Sequence, residues 1–137
     1  MFDEKGIVDH LRELDESLSD WERYQFISLD ELHTDRDKRN MVLHALLVSI
    51  QAAIDIANHL IAERKLRKPT TYRESFEILR EESLLPNDLA EKLVELAGFR
   101  NVLVHVYWRL DIDVVHTIVQ RNLDSLRSFV HTIKNLL

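Results

Sequence analysis

Between Phe99 and Arg109 the chain gathers side chains suited to handling an anion and a proton: Arg100, Asn101, His105, Tyr107 and Arg109, interleaved with Val102, Leu103, Val104 and Val106. A guanidinium offers a planar fork to anionic oxygens, and an imidazole changes charge near neutral pH, so these residue types suit anion binding coupled to acid–base chemistry. A second reading stays open on composition: an amphipathic helix end whose cations complement the helix macrodipole. Elsewhere the chemistry thins out. The seven histidines form neither a Glu-x-x-His pair nor a His-Glu-x-x-His run, and Asp30 with His33 and Asp113 with His116 fall at expected helix ends, where capping explains them. No metal site and no cofactor are expected. Cys is absent, which removes thiolate ligands, disulfides and a cysteine nucleophile. Gly6 and Gly98, the two glycines, are too far apart for a phosphate-cradling glycine loop. No serine lies in the strained turn that nucleophiles occupy.

The elements that must position this segment are helices. At 137 residues the chain suits a single domain, 1–137, and with two Gly and two Pro it lacks the turn chemistry of hairpins and sandwiches. Ile7, Leu11, Leu14, Leu18 and Trp21 recur at helical spacing, which predicts a first helix from about Asp3 to about Asp30. The polar stretch Thr34 to Asn40 reads as a connection or a frayed helix start. From Met41 to Ile61 the sequence is apolar nearly all round, as a central or interfacial helix requires. One stripe on it is polar, His44, Gln51, Asp55 and Asn58, and reads as a solvent-facing strip, with a cleft or subunit contact as the alternative.

Arg64, Lys65, Arg67 and Lys68 form a basic cluster that reads as a solvated surface. Pro69 stops the helix before it, and Thr71-Tyr72-Arg73-Glu74 is a capping-box pattern opening a short third helix to about Glu82. Pro86 suits the first turn of a fourth helix. Gly98 inside that helix costs about 1 kcal/mol relative to Ala, which predicts close approach of another helix backbone. A last helix after Arg109 carries Val115, Val119, Leu126, Phe129, Ile133 and Leu136. The sum is an all-α, antiparallel up-and-down bundle of four longer helices and one short one. The net charge of -6 argues against general adhesion to nucleic acid or anionic membranes. The amino terminus lacks the pattern of a secretory signal, and the longest stretch free of formal charge, 40–54, is too short and polar to span a bilayer, so a cytoplasmic protein without membrane partners is expected.

Arg100-Asn101-x-x-x-His105-x-Tyr107 resembles the Arg-x(4)-His-x-Tyr signature of the HepT-like branch of the HEPN (higher eukaryotes and prokaryotes nucleotide-binding) ribonucleases. Ala52-Ala53-Ile54-Asp55-Ile56-Ala57-Asn58-His59, Tyr72-Arg73-Glu74-Ser75-Phe76 and Ala97-Gly98-Phe99 add to the likeness in the family's order, over most of the chain.

The resemblance implies a prokaryotic toxin: a helical homodimer whose two signatures line one cleft and cut RNA without a metal. Arg100 and His105 would be catalytic, the guanidinium stabilising the pentacoordinate phosphate and the two imidazoles passing protons. Asn101, four residues before His105, is on the right face to orient its imidazole. On a regular helix the step from Arg100 to His105 leaves them about 140° apart, a separation that a two-fold axis beside the motif would resolve. RNA attraction is expected from Arg100 and Arg109, joined by Arg73 or by the cluster at 64–68, whose first reading stays that of a solvated surface. The family's partner is a nucleotidyltransferase antitoxin of the MNT type, which transfers AMP to the tyrosine of the signature; Tyr107 is the matching residue and is expected to be exposed near the cleft. The alternative is a non-catalytic helical subunit that binds or positions that nucleotidyltransferase.

Overall fold

The seam of the first helix packs as its spacing requires: Ile7, Leu11, Leu14, Leu18 and Trp21 are all buried. The computed structural model describes residues 4–137, and among them the chain forms seven α-helices and no strand. These are α1 (Glu4–Tyr24), α2 (Leu29–Thr34), α3 (Arg36–Glu63), α4 (Tyr72–Glu81), α5 (Asn87–His105), α6 (Ile112–Arg121) and α7 (Leu123–Leu136), with a 3₁₀ turn at Tyr107–Arg109 after α5. The result is an all-α bundle, as expected, with two helices divided where continuous ones were expected.

The first division has a local cause. Ser28 caps α2, its Oγ accepting from the Glu31 N–H at 3.0 Å, and Leu32 is fully buried behind it. The chain therefore breaks after Tyr24 instead of running on to Asp30. The expected connection of Thr34 to Asn40 shrinks to Asp35, whose carboxylate accepts from the Lys38 N–H at 3.1 Å and starts α3 at once. The second division falls at Asn122, between α6 and α7. The Trp21 indole donates to the Val119 carbonyl at 2.8 Å and Gln25 Nε2 to the Gln120 carbonyl at 3.3 Å. Those are the acceptors that the N–H groups of residues 123 and 124 would take in a continuous helix.

Helix α3 packs against every other α-helix. Its length and composition would suffice to cross a bilayer, but thirteen of its residues are buried inside the bundle, so its apolarity serves the core. Phe76 of α4 meets Phe129 of α7 edge-to-face at 5.7 Å, and the buried Ser49 hydroxyl donates to Ser17 Oγ at 2.9 Å, tying α3 to α1. Gly98 is explained differently from its expectation. The atoms nearest to the place a Cβ would take belong to the guanidinium of Arg73 and not to a helix backbone.

Candidate functional site

The polar stripe of α3 is where the expectation and the structure part most usefully. Gln51, Asp55 and Asn58 are half-buried, and they face α4 and α5 instead of open solvent; His44 alone of the four is exposed. Gln51 Nε2 donates to Asp55 Oδ1 at 2.9 Å, which turns Gln51 Oε1 toward α5, where it accepts from Arg100 Nε at 2.8 Å. Asp55 thus fixes which end of the Gln51 amide Arg100 meets.

Arg100 is held on other sides as well. Its Cζ lies 4.6 Å from the centroid of the Tyr72 ring, a cation–π contact strengthened by partial burial. A long bond of 3.4 Å runs from Nη1 to Asn101 Oδ1. With Nε committed to Gln51, one N–H of Nη1 on Asn101 and one face on Tyr72, Nη2 and the other N–H of Nη1 remain to engage an anion in a pre-set orientation. Tyr72 reaches this place because Thr71 starts α4, its Oγ1 accepting from the Glu74 N–H at 3.1 Å. Glu74 reaches back to Thr70 N at 3.3 Å, one residue before the cap, and also takes Arg67 Nη1 at 2.8 Å. Arg67 further pairs with Glu81 at 2.7 Å. The hydrogen bond to Glu81 raises the Arg67 pKa, and the same bond lowers that of Glu81. Within the basic cluster, then, Arg67 serves as a staple of the α3–α4 connection onto α4.

Beside Arg100 lies an open hollow of about 440 Å³ lined by Asn58, Thr70, Thr71, Tyr72, Ser75 and Asn101, with Pro69 at its edge. Asn58 Oδ1 accepts from the buried Ser75 hydroxyl at 2.6 Å. Arg73 lies across α5 at Gly98, two residues before Arg100. The structure therefore brings together Arg100, Asn101, Arg73 and Tyr72 from the sequence motifs. To these it adds Gln51, Asp55, Asn58 and Ser75, whose only sequence signals were the α3 stripe and the runs flanking the signature.

His105 is not joined to this group within one chain. It is exposed and is the last residue of an unbroken α5, so the angular separation from Arg100 persists. Asn101, expected to orient the His105 imidazole, spends its carbonyl on Arg100 instead. Arg109 is exposed in the 3₁₀ turn beyond α5. Tyr107 opens that turn, and its side chain, with the expectation of its exposure, lies outside the described residues. Around His105, Val102, Val104 and Trp108 are apolar and exposed, Trp108 at 78%. Among the described residues no three His, Asp or Glu side chains gather as metal ligands.

Comparison with known proteins gives a consistent picture. A family profile described as ribonuclease HepT-like matches residues 14–133. An mRNA nuclease HepT of Shewanella oneidensis is 37% identical over 84 residues, 61% of this chain and 63% of that protein. A tRNA nuclease HepT of Aphanizomenon flos-aquae is 28% identical over 130 residues, 95% of this chain and 82% of that one. Among solved structures, a tri-AMPylated Shewanella oneidensis HEPN toxin in complex with its MNT antitoxin superposes with a TM-score of 0.85 at 27% identity, covering 94% of this chain and 96% of that one.

Proposed function

The chain belongs to the HepT-like ribonuclease family, and from that premise we propose that it is a metal-independent endoribonuclease, the toxin of a pair whose antitoxin is an MNT-type nucleotidyltransferase. The observation that carries this reading is the orientation of Arg100, set by Gln51 and Tyr72 at the start of an intact Arg100-x(4)-His105-x-Tyr107 signature. The named nuclease relatives and the toxin–antitoxin complex support it.

The site is completed by a second copy. Two-fold pairing through the exposed Val102, Val104 and Trp108 would set the two His105 side chains beside the two Arg100 guanidinia in one cleft. One imidazole takes the proton of an RNA 2′-hydroxyl as O2′ attacks phosphorus. The P–O5′ bond breaks, and the partner's protonated imidazole gives its proton to O5′. Arg100 stabilises the charge that accumulates on the phosphoryl oxygens. The products are a 2′,3′-cyclic phosphate and a 5′-hydroxyl. Arg73 and Arg109 supply further attraction for RNA on a chain whose net charge is -6. The antitoxin transfers AMP from ATP to the Tyr107 phenol, releasing pyrophosphate, and each AMP adds bulk and negative charge at the cleft mouth, which repels RNA. The setting is the prokaryotic cytoplasm.

Expression of the chain alone should arrest growth, and co-expression with its nucleotidyltransferase should relieve the arrest. Arg100→Ala or His105→Ala should abolish the arrest and lower RNA cleavage in EDTA by about 10²- to 10⁴-fold. Arrest that survives both substitutions would favour a non-catalytic role.

A further inference from the structure

We propose that the hollow between α3, α4 and α5 is a nucleobase subsite that receives the nucleotide next to the scissile phosphate, with the Asn58 amide selecting the base; the assignment rests on the ribonuclease reading above. Two of its walls belong to the Arg100 site itself. Tyr72 lines the hollow and underlies the Arg100 guanidinium, and Asn101 lines it and accepts from Arg100. A phosphate on Arg100 therefore brings its own sugar and base to this opening. At about 440 Å³ the hollow falls within the ordinary range of small-ligand sites.

The two side-chain amides of the hollow turn their N–H ends to it. Thr71 Oγ1 is engaged by the Glu74 N–H at 3.1 Å, and Thr70 Oγ1 donates to Glu74 Oε2 at 3.1 Å. Ser75 spends its proton on Asn58 Oδ1 at 2.6 Å, and Asn101 Oδ1 is taken by Arg100 at 3.4 Å. Both asparagine carbonyls are thus occupied, and both amides offer N–H groups with no protein acceptor among the described residues. A donor-rich recess matches bases with carbonyl oxygens on their edges, uracil above all. Adenine offers these donors ring nitrogens alone and brings an exocyclic amino group, itself a donor, beside them, so it fits less well than uracil.

The test has a binding arm and a cleavage arm. In the binding arm, uridine 3′-monophosphate and adenosine 3′-monophosphate are titrated separately into the wild-type chain while the side-chain amide resonances of Asn58 and Asn101 are followed by NMR. The uridine nucleotide should shift both resonances and bind roughly tenfold more tightly than the adenosine nucleotide, the size expected of one base-edge hydrogen-bond pairing. In the cleavage arm, a randomised RNA library is cut by the wild type, by Asn58→Asp and by Thr70→Trp. Asn58→Asp keeps an acceptor for Ser75 and removes the donors, so the preferred base should move toward those with amino groups. Thr70→Trp fills the hollow from its exposed rim and should flatten the preference while cleavage continues. Cleavage of unchanged base preference in both variants, with Asn58 and Asn101 unmoved by uridine 3′-monophosphate, would overturn the subsite and leave the ribonuclease intact. Uridine nucleotide binding at these amides by a chain that cuts no RNA would instead overturn the ribonuclease reading and leave a nucleotide site.

Discussion

Arg100 owes its orientation to residues outside the proposed catalytic pair. Its Nε has one partner, Gln51 Oε1 at 2.8 Å, and Gln51 is itself fixed by Asp55 at 2.9 Å. Replacing Gln51 with Ala should leave the fold intact and lower kcat by up to about 10²-fold through misplacement of the guanidinium, with a smaller change in KM. Asp55→Asn retains an acceptor for Gln51 and should preserve most of the activity, whereas Asp55→Ala should not; single-turnover kinetics on the three variants separates positioning from a packing defect. The sequence displayed Arg100, His105 and Tyr107 plainly because they sit close together along the chain, at the end of α5 and the turn after it. Gln51 was visible as part of a stripe, but its partner lies 49 positions away, and spacing along one helix says nothing about what that face meets. For Tyr107, co-expression with the antitoxin should add multiples of an AMP residue mass, and Tyr107→Phe should remain toxic in the antitoxin's presence. Intact-mass spectrometry decides it: an unmodified chain that is nevertheless neutralised would mean inhibition by binding alone.

The elements position these side chains through their ends. Thr71 sets where α4 begins and hence where Tyr72 and Arg73 fall, so Thr71→Ala should cost about 1 kcal/mol of stability and loosen Arg100 as well; thermal melts and kcat together would show both effects. Arg67 pins the α3–α4 connection through Glu74 and Glu81. Because Glu81 titrates below its ordinary 4.5 in the folded chain, the staple contributes above that value and is lost as pH falls through the lowered folded pKa. Cleavage by an acid-tolerant protease near Lys68 should accelerate in that acidic window in the wild type and show no such rise in Glu81→Gln. The capping signal before α4 was legible because cap chemistry is local, whereas Pro86, expected in the first turn of the next helix, stands just before α5 with no side-chain capping bond. The breaks at residues 25–28 and at Asn122 were not, since the second depends on Trp21 and Gln25 reaching carbonyls across the bundle. Gly98 taught the same lesson: its spacing announced a close neighbour, but only the fold shows that the neighbour is the Arg73 side chain.

At the scale of the whole molecule, the bundle buries its core around α3 and leaves Val102, Val104 and Trp108 exposed next to His105. Light scattering should find a dimer at micromolar concentration, and Val104→Glu should yield a folded monomer with little nuclease activity, because a charge desolvated in an apolar interface is costly. A well-folded wild-type monomer that cuts RNA would remove the composite site. The helical class was legible from the scarcity of Gly and Pro and from the apolar periodicity; the proposed pairing of two copies is not written in any single helix. The most direct measurement is end-group analysis of RNA incubated with the purified chain in EDTA, alongside His105→Ala. The account predicts fragments ending in 2′,3′-cyclic phosphate and 5′-hydroxyl from the wild type and none from the variant; uncut RNA, fragments bearing 5′-phosphate, or equal cleavage by His105→Ala would contradict it.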